Sequence, residues 1–173
     1  MKLSNYLIHN MPVPSIKNRN LGEYISGYVD GEGCFSVSFS KRKKFIVGWE
    51  TKPSFSVSQN YDRAEILFHM QKRFKCGFMR RDFSDRTLKY EVRRLNDLVN
   101  KIIPHFKKYP LLSDKNKDFQ IFCEICLKMI DGRHKNLKGL KEIMDLAFKM
   151  NASGRRRYSK KDILNFANTW MKI

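Results

Sequence analysis

The sequence is short of acid. Only 17 Asp and Glu stand against 35 Lys and Arg in 173 residues, a formal net charge of +18. Self-repulsion of that size opposes the compact state unless a polyanion is the usual partner. Nucleic acid is the first partner this implies. An anionic membrane or an acidic protein comes second, because no long basic amphipathic helix stands apart from the chain. Long apolar runs are missing too: no stretch approaches the ~18 apolar residues of a membrane span. The first 20 residues carry Pro12 and Pro14 and lack the basic-then-apolar run of a secretory signal, so residues 1–20 read as an irregular arm. No low-complexity tract or sequence repeat is present. Cysteine is limited to Cys34, Cys76, Cys123 and Cys126, with no second CxxC to match Cys123-x-x-Cys126. That argues against a zinc site and for reduced thiols inside a cell, with Cys123 and Cys126 in a helical core.

What is present is patterned hydrophobicity, 42% of residues, enough for one domain with its own core. Leu21 to Asp30 reads as a helix broken by Gly31-Glu32-Gly33. Period two follows: Phe35, Val37 and Phe39 alternate with Ser36, Ser38 and Ser40 along a strand from Cys34 to Lys43. A second strand sets Trp49, Phe55 and Val57 against Glu50, Lys52, Ser54, Ser56 and Ser58. A helix beginning at Asp62 carries Ile66, Leu67, Met70 and Phe74 on one face. Two shorter strands, Gly77–Phe83 and Thr87–Arg94, flank a turn at Ser84-Asp85. Apolar stripes then mark helices through Leu95–Phe106, Phe119–Met129 and Leu137–Ala147. After a loop from Asn151 to Arg157, Ser159-x-x-Asp162 resembles a capping box opening a last helix. The order is α-ββ-α-ββ-α plus further helices, an α+β domain with an antiparallel sheet. Residues 21–150 form the expected domain and 151–173 a basic extension.

One face of that sheet is apolar and needs helices behind it. The other is expected to carry Ser, Lys and Arg rather than mixed charge. Donors and acceptors suit base edges and cations suit phosphates. Ser36, Ser38, Ser40 and Arg42 share the face on the first strand. Lys52, Ser54, Ser56 and Ser58 share it on the second, and Arg80 and Lys89 on the shorter pair. Lys43 and Lys44 would add phosphate contacts. A strand from Cys34 to Lys43 reaches roughly 33 Å, about ten duplex steps of ~3.4 Å. The basic tail, Arg155-Arg156-Arg157 with Lys160-Lys161, is the alternative seat for DNA.

The most informative stretch is Ile25-Ser26-Gly27-Tyr28-Val29-Asp30-Gly31-Glu32-Gly33. Gly27 and Gly31 are four apart, so they share a helix side and permit close approach by a second helix. A copy of the same helix across a twofold axis fits best, with Tyr24 and Tyr28 beside the glycines. Glu32 is expected just past the helix end, at the rim of the sheet. Two copies would bring two carboxylates to the axis, hard ligands for Mg²⁺. The bland alternative has Asp30 and Glu32 satisfying loop NH groups.

This stretch resembles the LAGLIDADG signature of homing endonucleases, in its single-motif form. Glu stands in place of the signature's last Asp and Ser26 in place of Ala. The resemblance covers about residues 20 to 150. It implies the LAGLIDADG fold with a saddle-shaped antiparallel sheet, a homodimer, and metal-dependent double-strand cleavage of a long, roughly palindromic DNA site in intron homing. It implies a metal held at Glu32 and Gly31. It also implies that Gln59, ending the strand Phe55-Ser56-Val57-Ser58-Gln59, lies near the scissile phosphates, with Arg63 at the active-site periphery. Pro104-His105-Phe106 with Leu111 and Lys115 resembles a family passage whose lysine, here Lys115, serves catalysis. An RNA maturase or a DNA-binding regulator on the same fold is the alternative; neither would need Glu32, Gln59 and Lys115 together. An organelle or bacterial cytoplasm is the expected setting.

Overall fold

The computed structural model describes residues 20–151 and 154–172; the arm read over residues 1–20 lies outside them except for Asn20. The Asn20 side chain accepts from the Gly22 and Glu23 amides and opens helix α1, Leu21–Glu32, supplying the oxygen that orphan first-turn NH groups require. The helix runs two residues beyond the expected stop. Gly31 stays helical, and the chain turns extended only at Gly33 (φ −85°, ψ 159°). Glu32 is therefore the last helical residue rather than the first beyond it.

Strand β1 (Gly33–Lys41) and strand β2 (Trp49–Asn60) pair antiparallel, with Phe35 opposite Phe55 and Ser40 opposite Glu50. Gly48 closes the turn between them at φ +72°, where a Cβ would meet Phe166 and Trp170, so glycine is required on both counts. A short 3₁₀ turn, Tyr61–Arg63, precedes helix α2 (Glu65–Phe74), so Arg63 lies ahead of this helix rather than inside it. Strands β3 (Phe78–Asp82) and β4 (Thr87–Val92) complete a four-stranded sheet in the order β1-β2-β4-β3.

Next come α3 (Leu95–Asp97), a π-helical stretch (Leu98–Ile102) and α4 (Ile103–Lys108). The π stretch has a local cause. Pro104 has no NH and its ring crowds the carbonyl four residues back, and just before it the Ile103 amide reaches five back, to Leu98 O. Helices α5 (Lys115–Ile130), α6 (Leu137–Ala147) and α7 (Lys160–Trp170) follow. The expected capping box is present in full, Ser159 and Asp162 each serving the other's backbone.

The helices cover the apolar side of the sheet. The Phe35 ring lies 5.2–5.4 Å from those of Phe55, Phe106, Phe119 and Phe122. Cys123 and Cys126 are buried free thiols in this core, as their helical spacing implies. The tail helix joins it: Trp49 Nε1 donates to Ile163 O at 3.0 Å, and Ile163 and Ala167 are buried. No helix among the described residues is long and apolar enough to cross a membrane.

Candidate nucleic-acid interface and carboxylate site

Helix α1 has two faces of equal spacing and opposite fate. Gly22, Ile25, Ser26 and Val29 are buried. Ser26 is pinned, its hydroxyl donating to Tyr109 O at 2.7 Å. On the other side Tyr24, Gly27 and Gly31 are exposed and Tyr28 is half-buried. A Cβ on Gly27 or Gly31 would meet nothing within 4 Å, whereas one on Gly22 would run into the Tyr109 ring. Glycine within a helix costs ~0.5–1 kcal/mol relative to Ala. Among the described residues, no atom lies within 4 Å of a Cβ placed on either glycine of the open face.

At the helix end most polar groups are committed. The Asp30 carboxylate accepts from Leu112 N at 2.7 Å and from Ser113 Oγ at 2.6 Å. Burial would raise its pKa, but these bonds and the Lys115 charge outweigh that and hold it below the usual Asp value. Asp30 thus takes the structural role that a loop acid would have. The Lys115 ammonium donates to Val29 O and Asp30 O, both at 2.8 Å, and approaches Gly31 O at 3.4 Å. A cation there meets the unsatisfied carbonyls and negative pole of the helix. Gln59 donates from Nε2 to the Tyr28 hydroxyl and accepts from Asn60 N at 2.7 Å. By strand alternation Gln59 follows Phe55 and Val57 onto the helix side of the sheet, which is why it meets Tyr28 there. Tyr28 is the residue whose place at this corner the sequence did not reveal. Its pKa is raised above the ordinary tyrosine value, chiefly by burial, with the Gln59 hydrogen bond and the Arg63 charge opposing and the Glu32 and Tyr24 charges adding to the rise. Glu32 itself is exposed and has neither a hydrogen bond nor an ion pair among the described residues.

The polar sheet face departs from expectation in its charge. Glu50 accepts from Arg42 at 3.2 Å and from Lys52 at 3.3 Å. Arg93 binds Glu91 at 2.7 Å, and Arg80 lies 3.7 Å from Asp82. The face is therefore mixed in sign: Glu50, Glu91 and Asp82 share it with the cations by alternation along their own strands, and the register sets Glu50 opposite Ser40. Ser36, Ser38, Ser40, Ser54 and Ser58 are partly or fully open with Lys89 among them, and Lys43 and Lys44 are exposed in the turn beyond β1. Ser56 is not available: at 5% exposure it is closed in between Cys34 and Glu91, its neighbours across both strands. Glu91 is itself buried at 6%. Burial pushes its pKa up, but bonds from Arg93 and Ser54 bring it below the ordinary Glu value, so it is charged at neutral pH.

The molecule thus combines one polar sheet face, a helix face carrying two open glycines and, where the two meet, a carboxylate with no partner among the described residues. The sequence model of the LAGLIDADG endonuclease family matches residues 25–126, and the chain belongs to that family. The probable intron-encoded endonuclease 2 of Neurospora crassa is 33% identical over 129 residues, 74% of this chain and 28% of that protein. The chain spans a quarter to a half of the length of curated relatives such as this one. Among solved structures, the archaeal intron-encoded homing endonuclease I-Vdi141I complexed with DNA has a TM-score of 0.79 at 28% identity, over 86% of this chain and 95% of that one. The meganuclease I-SmaMI bound to uncleaveable DNA has a TM-score of 0.75 at 30% identity, over 84% of this chain but 49% of its own. The fold expected from the sequence is the one those structures share.

Proposed function

We propose that this chain is a site-specific DNA endonuclease that acts as a homodimer, with Glu32 as the carboxylate of its reaction centre. The single observation that carries this is the isolation of Glu32. Around it Asp30, Lys115 and Gln59 are held by other groups, while Glu32 is exposed at the helix end with no partner among the described residues. A lone exposed carboxylate at the rim of a polar sheet is half of a site. Pairing two α1 helices through Gly27 and Gly31, flanked by Tyr24 and Tyr28, brings the second half to it. I-SmaMI supports the pairing, since this chain matches about half of that protein.

The donor set suits a divalent cation of the Mg²⁺ type: a hard carboxylate from Glu32 and the adjoining Gly31 carbonyl, with room for water and phosphate oxygens. Such a cation, when bound, makes a water nucleophilic at neutral pH and shields phosphate charge. I-SmaMI was solved on an uncleaved target in the presence of calcium ions. The protein's own contributions are positional. Lys115 fixes the last turn of α1 and so the reach of Glu32. Gln59 and Tyr28 set the inner wall, and Arg63, without a partner among the described residues, faces the phosphate. Duplex DNA lies on the polar face, with Ser36, Ser38, Ser40, Arg42, Lys52, Ser54, Ser58, Arg80 and Lys89 toward base edges and Lys43 and Lys44 toward the backbone. A role in intron homing, in an organelle or a bacterium, belongs to the same proposal and rests on relatives named as intron-encoded.

The test is Glu32→Gln, which keeps the size and removes the charge. Selection of cleaved sites from a random duplex library first supplies the target. The variant is expected to bind that target like the parent and to leave it uncut. Parallel loss of binding would remove Glu32 from the reaction centre, and cleavage by the variant would remove it from the mechanism.

A further inference from the structure

We propose that the loop carrying Arg155, Arg156 and Arg157 is a phosphate-binding rail along the free edge of β1, outside the sheet face. This rests on the sheet being the DNA surface, and it changes where the charge for holding DNA comes from. Neutralising phosphates and releasing their counterions takes cations that are free to give. On the sheet face Arg42, Lys52, Arg80 and Arg93 each already have an acid within reach. Only Lys89 among the face cations has no acidic partner among the described residues. A chain of charge +18 therefore holds its spare cations elsewhere.

The edge of the sheet supplies a place. β1 is a terminal strand, and its outward carbonyls would be open to solvent or to another strand. Asn151 Nδ2 donates to Phe35 O at 2.8 Å and Arg156 Nη1 to Val37 O at 3.2 Å. Arg156 also donates to Ala147 O at the end of α6 and to Met150 O beyond it, and lies over the Phe148 ring at 4.6 Å. Carbonyls from two elements thus hold one guanidinium with no acid involved. Pinned in this way, the loop turns the residues on either side outward: Arg155 and Arg157 are both exposed, without an ion pair among the described residues. Residues 1–19, 152 and 153 contain no Asp or Glu that could pair them.

Between loop and strand lies a cleft of about 530 Å³. Ser36, Ser38, Arg155 and Arg157 line it together with apolar groups such as Val37, Phe39 and Phe148, and no Asp or Glu is among its lining residues. Hydroxyl donors and guanidinium forks lining one cleft suit phosphate oxygens. The same strand thus presents its side chains to bases and, across its edge, an arginine rail to the backbone. Phosphate contacts carry no sequence information, so the rail adds affinity and register without altering preference.

The experiment measures duplex binding by fluorescence anisotropy in calcium over a series of salt concentrations, for the parent and for Arg155→Ala/Arg157→Ala. The slope of log K against log salt is expected to become shallower by roughly 1.8 for each protomer bound, ~0.9 for each lost phosphate contact. Target and scrambled duplexes should weaken by about the same factor. Arg155→Lys/Arg157→Lys should keep the parent slope, which separates lost charge from a disturbed loop. An unchanged slope in the alanine pair, a lost slope in the lysine pair, or weakening confined to the target would each overturn the rail. A parent that shows no salt-dependent duplex binding would instead overturn the assignment of the sheet to DNA.

Discussion

The Lys115 ammonium lies 2.8 Å from the main-chain carbonyl oxygen of Asp30, on the same turn of helix that ends in Glu32. The Asp30 side chain answers in the other direction, accepting from the Leu112 and Ser113 amides just ahead of α5. The motif helix and the loop before α5 are thus clasped twice. The placement of Glu32 and that of Lys115 are one geometric fact rather than two.

Replacing Lys115 with Met keeps most of the stem and removes the charged donor. Charge-assisted hydrogen bonds contribute ~1.5–3 kcal/mol each, and the freed carbonyls can be rehydrated, so a stability loss of about 1–2 kcal/mol is expected. Cleavage should fall much further than binding, because the end of α1 that carries Glu32 loses its anchor. Denaturant titration together with single-turnover cleavage would check this. Full cleavage activity in a destabilised variant would show that Lys115 serves only the fold.

Gly27→Leu separates folding from pairing. Among the described residues no atom lies within 4 Å of a Cβ at that position, and Leu is the better helix former by about 0.8 kcal/mol. The protomer should fold as well as the parent. The dimer should be lost, because a branched side chain blocks close helix approach, and double-strand cleavage should go with it. Sedimentation at several concentrations would read the assembly. A dimer that survives the substitution would place the interface elsewhere.

Much of this was legible in the sequence because periodicity is a local signal. Phe35-x-Val37-x-Phe39 and the stripe Ile66, Leu67, Met70, Phe74 announce their buried faces, and all seven are buried. The capping box at Ser159 is likewise local. What was hidden depends on neighbours distant in sequence. The glycines around Glu32 read as a break, yet Gly31 continues the helix, since Lys115, 84 residues on, satisfies the carbonyls at its end. Glu50 falls on the polar face by alternation alone, but its pairing with Arg42 needs the β1–β2 register, which sets the two side by side. The rail needs the tail folded back over β1. Gln59 could have been assigned to the helix side by counting from Val57, but its partner Tyr28 could not.

The acids on the sheet face invite a test of their own. Glu50 holds both Arg42 and Lys52. Glu50→Gln would leave two cations free to meet any phosphate. Affinity for scrambled duplex should rise more than affinity for target, narrowing the ratio between them, since non-specific binding is almost entirely electrostatic. Competition between the two duplexes reads that ratio directly. An unchanged or widened ratio would mean that Glu50 does not restrain non-specific binding.

His105 provides the last prediction, in pH. It is 7% exposed and packed against the rings of Phe74, Phe106 and Tyr109, with centroids 5.0, 4.8 and 5.2 Å away. Its Nε2 is buried without a hydrogen-bond partner among the described residues. Burial, helped by the Arg73 charge and opposed by a bond to the Gly22 backbone, lowers its pKa from 6.5 to about 4. As pH falls below 6.5 the unfolded chain takes up a proton that the folded one refuses until about pH 4. Stability therefore declines through that window as the solution is acidified, by on the order of 3 kcal/mol from this residue alone. Carboxylates with depressed pKa values, Asp30 and Glu91 among them, add their own loss in acid as their folded forms become protonated. His105→Phe keeps a ring in the cluster and removes the titration, so the difference between parent and variant isolates the histidine. Urea denaturation at a series of pH values across the window should show a flatter profile for the variant. Profiles that run parallel would mean His105 is protonated in the folded protein as readily as in the unfolded chain.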